Sequence, residues 1–296
     1  MKDYIVRATA ANGSIRAFAA RTTASVSEAA RIHNLYPVAS AALGRVITAA
    51  AMMSADMKGG RSTVSLVVKG DGPLGSIVTV ASSNGFLKGY VDNPQLDLPL
   101  NPHGKLDVGG AVGRNGKLTI IKDLGLKEPY VGQVELVSGE IGEDLARYYW
   151  TSEQQPSVVA LGTLVNHDLT IKAAGGYIIQ PMPDADEGVI ARIEKSLQML
   201  PPISALIDEG KTPEEVLETI LGDLELKIHP GLEVEFACDC SRERLEGIVL
   251  SLGEAEIRDI LEKEGKAELV CRYCSSKYLF SAAELEALLK QSRRPD

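Results

Sequence analysis

Four cysteines are the residues of this chain whose type and spacing could do chemistry. They are the only cysteines among 296 residues, and they lie close together as Cys238, Cys240, Cys271 and Cys274. The pattern is C-x-C followed, after thirty residues, by C-x-x-C. Two close pairs of thiolates brought together by the fold suit a tetrahedral Zn²⁺ site. C-x-x-C is also a redox spacing, and thiolates are the form that oxidants attack.

The spacing leaves several interpretations of these cysteines open. They could be unrelated buried thiols, a purely structural zinc ribbon, or a zinc site whose thiolates also undergo oxidation. His229 precedes Cys238 by nine residues, but four cysteines already complete a tetrahedral shell, so we expect a surface histidine there. The other histidines are scattered and form no metal-ligand spacing. The sequence offers no convincing catalytic constellation.

Short elements must position the cysteines. A strand-like run over 233–236 leads into Cys238, and Ser241 can cap the helix that follows Cys240. A strand over 267–270 runs into Cys271, and its hairpin partner over 277–280 follows Cys274. Residues 231–296 therefore form a module of the size at which an apolar core alone is marginal, and a structural metal would add the missing stability.

The longer region before this module is predicted to contain a domain and a linker. Residues 1–180 show many short strand-like runs joined by tight turns, with a type I′ hairpin signal at Asn12-Gly13, so we expect an α+β domain with a largely antiparallel sheet. Residues 181–230 carry three short amphipathic helices, with Asp186 and Thr212 as caps. The predicted organisation is a core domain (1–180), a helical linker (181–230) and a cysteine module (231–296).

Charge argues against nucleic acid as a partner. The chain has a formal net charge of −9 and 5% aromatic residues. Residues 1–180 carry a net +2, the linker −7 and the cysteine module −4. An acidic module of this kind lacks the basic face with which a zinc ribbon would contact polyanionic nucleic acid.

Two other segments could be mistaken for functional signals. The apolar stretch 37–57 is rich in alanine and interrupted by Arg45, so it predicts a buried core helix rather than a membrane span. No export signal precedes it, which favours the cytoplasm, where thiols stay reduced.

The run from Gly70 to Gly75 matches G-x-G-x-x-G, but a strand follows it where a dinucleotide site needs a helix, so we expect a turn.

Several long motifs are distributed along the whole chain. They are CDC and CRYC, GFLKGYV from Gly85, the block KDLGLKEPYVGQVELVSGEIGEDLARYY from Lys122, SEQQPSVVALG from Ser152, AAGGYIIQPMP from Ala173 and FACDCSRER from Phe236. Motifs of this length in this order are highly specific. Through them the whole chain resembles the redox-regulated 33 kDa heat-shock chaperonin family of bacteria, and the four cysteines show no departure.

The resemblance implies an ATP-independent holdase that is not an enzyme. Its reduced form would bind one Zn²⁺ per chain through Cys238, Cys240, Cys271 and Cys274 and would be inactive. Oxidants with heat would form the disulfides Cys238–Cys240 and Cys271–Cys274, release zinc, and unfold the module and the linker. The active form would be a homodimer that binds unfolding client proteins in the cytoplasm, without nucleic acid or membrane.

Two rival functions are a zinc ribbon that binds nucleic acid and a thiol–disulfide oxidoreductase that uses Cys271 and Cys274. The first conflicts with the acidic module. The second usually places C-x-x-C at the N-terminus of a helix, whereas Cys271 follows a strand and leads into a hairpin.

Overall fold

The computed structural model describes residues 2–57 and 59–292. The chain forms two compact units, and the boundary between them falls between Ala237 and Cys238. The helices of residues 181–230 belong to the first unit. The separate behaviour of a core domain, a linker and a module stays a prediction.

A ten-stranded sheet is the frame of the first unit. Its strands are β1 (Asp3–Ala10), β2 (Ile15–Arg21), β3 (Thr63–Lys69), β4 (Ser76–Ser82), β5 (Phe86–Val91), β6 (Lys117–Asp123), β7 (Tyr130–Glu135), β8 (Val158–Val165), β9 (Ile171–Pro181) and β10 (Lys227–Phe236). Their order is β7-β6-β3-β4-β5-β10-β1-β2-β9-β8. Every neighbouring pair is antiparallel except β10 with β5. The predicted α+β fold with a largely antiparallel sheet is confirmed.

The first hairpin and its turn at Asn12-Gly13 are confirmed, although the strand pairing stops one residue pair before the turn. Ala10 pairs with Ile15, which leaves four residues between the strands. Ala11 and Asn12 adopt left-handed conformations with φ of 49° and 55°. The amide and the hydroxyl of Ser14 both donate to the carbonyl of Ala11, at 3.1 and 2.8 Å. The backbone bond closes a turn with Asn12 and Gly13 at its centre, and their φ angles of 55° and 91° are those of the predicted type I′ turn.

Seven helices accompany the sheet in the described part of the first unit. They are α1 (Thr23–His33), α2 (Pro37–Ser54), α3 (Val108–Val112), α4 (Gly142–Ser152), α5 (Glu187–Gln198), α6 (Ile203–Asp208) and α7 (Pro213–Leu221). The predicted caps are confirmed, since Asp186 accepts a hydrogen bond from the amide of Gly188 and Thr212 exchanges two hydrogen bonds with Glu215. Such reciprocal caps satisfy amides that a short helix leaves unpaired.

The central strands bury both of their faces, because successive side chains point to opposite sides of a sheet. On β2, Phe18 enters one core and its neighbours Ala17 and Ala19 enter another. The first core lies against α1 to α4 and includes Val26, Leu43, Val46, Ile47, Leu66, Ile77, Leu118 and Leu145. The second core lies against α5 to α7 and includes Val6, Ile15, Tyr177, Ile193, Leu206, Val216, Leu217 and Ile220.

Helix α2 is the predicted core helix. Among the described residues it is the one helix long and apolar enough to cross a membrane, and 89% of that stretch is buried within the first unit. Its small alanine side chains let strands approach closely on several sides. The interpretation of 37–57 as a core element is confirmed, although the helix ends at Ser54.

The glycine-rich run 70–75 is a turn between the antiparallel strands β3 and β4, as expected. Its backbone is already engaged by the end of α3. The amides of Gly72 and Leu74 donate to the carbonyls of Val112 and Ala111, each at 2.9 Å. Amides used in this way are not free to cradle a phosphate.

The second unit is a small assembly of α8 (Arg242–Ser251), α9 (Glu254–Lys263), β11 (Lys266–Val270), β12 (Lys277–Ser281) and α10 (Ala282–Ser292). The predicted hairpin is confirmed, with β11 and β12 antiparallel and Val270 opposite Lys277. The buried core of the described residues is Leu245, Val249, Ile257, Phe280, Leu285, Leu288 and Leu289.

Candidate metal centre

The first cysteine pair lies on the irregular segment before α8. Ser241 caps that helix, since its Oγ accepts a hydrogen bond from the amide of Arg244 at 3.3 Å. The cap fixes the start of α8 directly after Cys240, so the loop that carries Cys238 and Cys240 is anchored at its C-terminal end.

The second cysteine pair lies in the tight connection between β11 and β12. The amide of Cys271 donates to the carbonyl of Ser276 at 2.9 Å, and the amide of Ser275 donates to the carbonyl of Cys271 at 2.8 Å. Ser275 takes a left-handed φ of 57° to reverse the chain. This compact turn holds Cys271 and Cys274 on the same side of the hairpin end.

The structure brings the four predicted cysteines together. Their Sγ atoms all lie within 4.8 Å of one another, the one such group of potential metal ligands found among the described residues. The sulfurs of Cys238 and Cys271 are 3.7 Å apart, and those of Cys240 and Cys274 are 3.3 Å apart. Four sulfurs at about 2.3 Å from one ion would be about 3.8 Å from each other in a tetrahedron. The donor set and its spacing therefore fit a metal ion of the Zn²⁺ type.

The surroundings of the sulfurs make their ionisation unequal. Burial, followed by the side chains of Cys240 and Cys271, raises the pKa of the Cys238 thiol, and burial also raises the pKa of Cys240. Burial opposes ionisation of Cys274 too, but hydrogen bonds from Ser276, together with those of Cys240 and Cys271, outweigh it and lower the pKa of Cys274 to about 7. A bound cation would be needed to keep all four sulfurs as thiolates at neutral pH.

Two hydroxyl groups contact the sulfurs. The phenol oxygen of Tyr278 lies 3.3 Å from the Sγ atom of Cys240, and the hydroxyl oxygen of Ser276 lies 3.2 Å from the Sγ atom of Cys274. Hydrogen bonds from such outer groups orient metal ligands and tune their basicity. Sequence reasoning did not single out Tyr278 or Ser276. The alternation of β12 was the one signal for Tyr278, because it places every second side chain on the same face.

An arginine ties the first cysteine loop to the hairpin. The guanidinium of Arg242 lies 4.5 Å from the ring centroid of Phe280, in a cation–π arrangement. It also donates to the carbonyl of Leu279 at 3.1 Å and to Glu284 at 2.6 Å. Glu284 in turn accepts hydrogen bonds from the amide and the hydroxyl of Ser281. This network connects α8, β12 and α10 around the sulfurs.

His229 is not part of the cluster. It lies on β10 in the first unit, is exposed, and its Nε2 atom is 3.1 Å from the hydroxyl of Thr9. The expectation of a surface histidine agrees with this position.

Comparisons with known proteins match this chain to one family over nearly its whole length. The family model described as Hsp33 protein matches residues 3–281. The 33 kDa chaperonin of Geobacillus kaustophilus is 50% identical over 99% of this chain and 100% of that protein. The 33 kDa chaperonin of Bacillus subtilis is 50% identical over the same shares of both chains.

A solved structure shows the same fold. The crystal structure of the 33 kDa chaperonin, a heat shock protein 33 homologue, from Thermotoga maritima matches with a TM-score of 0.91 and 39% identity over 99% of both chains. This structural match agrees with the α+β fold described above. This chain therefore belongs to the Hsp33 family of chaperonins.

Proposed function

We propose that this chain is a redox-controlled, ATP-independent holdase that binds unfolding proteins under oxidative and heat stress. The observation that carries the proposal is the group of four sulfurs in a small second unit with only seven buried apolar side chains among its described residues. A unit with so small an apolar core would depend on a metal ion bound by the four sulfurs for its stability. Membership of a chaperonin family supports the client-binding part of the proposal.

In the resting state, we propose that Cys238, Cys240, Cys271 and Cys274 hold one Zn²⁺ per chain. The bound ion would supply the positive charge that keeps four sulfurs ionised at close range. The turn from Cys271 to Ser276 and the loop before α8 would then be fixed to each other through their sulfurs. The second unit would be folded and the chaperone inactive.

Activation is a two-electron oxidation at each cysteine pair. Two thiolates, one hydrogen peroxide and two protons give one disulfide and two water molecules. We propose the pairs Cys238–Cys240 and Cys271–Cys274, as the family resemblance implies. Each disulfide removes two metal ligands, so the complete reaction dismantles the tetrahedral site.

The energetic consequence decides whether the second unit survives. Structural Zn²⁺ sites contribute about 10–16 kcal/mol to the folding of small domains at neutral pH. Whole domains are stable by only about 5–15 kcal/mol. The seven side chains of the small core cannot offset a loss of that size, so the unit is expected to unfold on oxidation.

The linker supplies apolar surface for clients in this proposal. Its helices α5 to α7 bury Ile193, Leu206, Val216, Leu217 and Ile220 against the sheet. Once they detach, both the helix faces and the strands beneath them expose apolar surface, and contiguous patches of this kind bind other proteins. The net charge of −7 on residues 181–230 would keep the opened segment in solution.

The rest of the proposed function follows the family resemblance. The active form would be a homodimer in the cytoplasm, with no enzymatic activity, no nucleic-acid partner and no membrane partner. Specific observations disfavour the rivals. The cysteine module has a net charge of −4, which is poor for nucleic acid, and Cys271 follows a strand rather than opening a helix.

The deciding experiment measures two quantities on the same sample before and after peroxide at mild heat. The first is bound zinc, by atomic absorption; the second is suppression of aggregation of a thermally unfolding reporter enzyme, by light scattering. We expect one zinc per chain and no suppression in the reduced protein, then loss of zinc as suppression appears. Full suppression by the reduced, zinc-loaded protein would contradict the proposal.

A further inference from the structure

Strand β10 occupies an unusual position in the sheet. It lies between β5 and β1, and it joins two groups of strands: β7-β6-β3-β4-β5 on one side and β1-β2-β9-β8 on the other. β10 comes last of the ten along the chain and ends at Phe236, two residues before Cys238. The strand that completes the sheet is therefore covalently next to the first cysteine.

The pairing of β10 with β5 is short. The register contains two residue pairs, Glu235 with Phe86 and Phe236 with Leu87. Flanking hydrogen bonds run from the amide of Glu235 to the carbonyl of Gly85 at 3.0 Å and from the amide of Ala237 to the carbonyl of Leu87 at 2.9 Å. A ladder of this length offers little resistance to separation.

The pairing of β10 with β1 is interrupted. The register shifts between Ile5, which faces Leu232, and Arg7, which faces His229. Pro230 and Gly231 lie opposite this irregularity, and proline has no amide to donate to a ladder. Gly231 lets the strands approach closely, since a Cβ atom there would lie 2.6 Å from the carbonyl oxygen of Ile5.

Burial gives the same picture of a lightly held strand. Of the ten residues of β10, Val234 is buried, Leu232 and Phe236 are half-buried, and the other seven are exposed. The three inward residues alternate along the strand and all pack against the first core. A small number of buried apolar side chains is a feature of segments that open locally at low cost.

The two groups of strands do not depend on β10 alone to stay together. Helix α2 packs against β2, β8 and β9 in one group and against β3, β4 and β5 in the other. The first core is continuous across both groups. If β10 leaves, its neighbours remain on a common support, and the gap keeps two facing strand edges.

We propose that β10 is a displaceable strand, and that the slot it leaves between β1 and β5 binds an extended segment of a client polypeptide by β-strand addition. The proposal rests on the proposed function, because unfolding of the second unit would release the C-terminal end of β10. β10 itself demonstrates the fit: an extended segment with apolar residues at alternate positions pairs with both edges. Main-chain hydrogen bonds supply the affinity, which suits clients of unrelated sequence.

The first test is hydrogen exchange on the full-length protein in three states: reduced and zinc-loaded, oxidised, and oxidised with reduced, carboxymethylated α-lactalbumin as a permanently unfolded client. We expect the amides of residues 3–9 that face β10 to be protected in the first state, to lose protection in the second and to regain it in the third. Oxidised protein that suppresses reporter aggregation while these amides stay protected throughout overturns the slot but leaves the holdase function intact. Absence of suppression in every state contradicts the holdase function instead.

The second test uses a synthetic peptide with the β10 sequence KIHPGLEVEF. We expect it to compete with the unfolded client for the oxidised protein. A version with N-methyl groups on the backbone amides of the last four residues should compete about tenfold or more weakly, because it loses ladder hydrogen bonds. Equal competition by both peptides would contradict strand addition.

The third test uses one glycine substitution and a matched control, both of which leave the cysteines unchanged. Gly231→Ala places a Cβ against the carbonyl of Ile5 and should expose the β1 edge in the reduced protein, with measurable client binding before oxidation. Gly222→Ala is the matched control, since nothing lies within 4 Å of its added Cβ. If the β1 amides of Gly231→Ala exchange hydrogen as slowly as those of the wild type, Gly231 is not needed for β10 to pair with β1, and the proposal is overturned. If the β1 amides of the oxidised protein regain protection when only the protein concentration is raised, without client, the slot binds the β10 of a second copy. That result would overturn the assignment to a client.

Discussion

The Sγ atom of Cys240 lies 3.3 Å from the phenol oxygen of Tyr278, although 38 residues separate the two along the chain. The same hydroxyl donates to the carbonyl of Cys240 at 3.4 Å. Tyr278 lies on β12 and Cys240 on the loop before α8, so this contact joins the two cysteine-bearing segments beside the sulfurs. A thiolate has no proton to donate, so in a metal-bound state the phenol is the donor.

The first prediction concerns this contact. Tyr278→Phe removes the hydrogen bond to the Cys240 sulfur and keeps the ring. Loss of an outer-shell partner typically lowers metal affinity about 10–100-fold, and we expect a change in that range by competition with a chromophoric zinc chelator. Tyr130→Phe, which removes an exposed phenol from the first unit, is the control. Unchanged affinity in Tyr278→Phe would show that the phenol does not act on the bound ligand.

The second prediction concerns the cysteines of the hairpin turn. Replacing Cys271 and Cys274 together with serine removes half of the sulfur ligands, and we expect loss of tight zinc binding and of ordered structure in the second unit. The first unit should keep its fold because its cores are separate from the small one. Zinc content and hydrogen exchange along the chain report both effects. Ser251→Ala on α8 is the control, and a fully protected second unit without zinc would contradict the stabilising role of the metal.

The third prediction concerns Arg242. Its ion pair with Glu284 is partly exposed, with side-chain exposures of 38% and 49%, and should contribute little by itself. The stacked contact with Phe280 and the hydrogen bond to the carbonyl of Leu279 are worth more, so Arg242→Ala should destabilise the zinc-loaded second unit by about 1–2 kcal/mol. Arg242→Lys keeps the charge but not the planar donor group and should recover only part of this. Full recovery by lysine, measured by thermal unfolding, would assign the effect to charge alone.

The fourth prediction concerns the attachment of the linker. The phenol of Tyr4 on β1 donates to Glu214 on α7 at 2.7 Å. Tyr4→Phe should lower the stability of the linker in the reduced protein by about 1 kcal/mol, measured at neutral pH by hydrogen exchange of residues 213–221. Glu214→Gln, which keeps an acceptor without the charge, should have a smaller effect.

The fifth prediction gives this contact a pH dependence. Burial and the Glu214 carboxylate raise the pKa of Tyr4 to about 12, above its ordinary value of 10. A raised pKa stabilises the fold below the unfolded-state value, and this contribution is lost as the pH rises from about 10 to about 12. The stability difference between wild type and Tyr4→Phe, measured by denaturant unfolding followed by circular dichroism, should therefore shrink across that interval. A difference that stays constant up to pH 12 would exclude the proton of Tyr4 as its source.

The cysteine site was predictable because its main information is local. Each pair is nearly adjacent in sequence, and the elements flanking the pairs carry clear caps and alternation. The contacts of Tyr278 and Arg242 were not predictable in the same way, since they connect residues 38 and 42 positions apart. Such contacts depend on how β12 and α10 pack against α8, and no local sequence pattern predicts that packing.

The sheet was predictable in type but not in all of its strands. The run 86–91 contains Gly89, and the short helix α3 contains two glycines, so neither has a strong local preference. β10 begins at Lys227, six residues earlier than the alternation of 233–236 indicates. Pro230 and Gly231 interrupt that pattern, but the strand continues because β10 pairs with β1 on both sides of them.

The two faces of the sheet have a consequence for recovery after stress. The first core contains no residue of α5 to α7, and the second core contains no residue of α1 to α4. The helices of the linker can therefore detach without opening the side of the sheet that α2 covers. If the chain is redox-controlled as proposed, reduction of the disulfides would let the linker helices return to strands β1, β2, β8 and β9, which would already have their final register. Switching off should then consist of docking short helices and re-seating β10, and it should not require the slow long-range pairing of the other nine strands to be repeated.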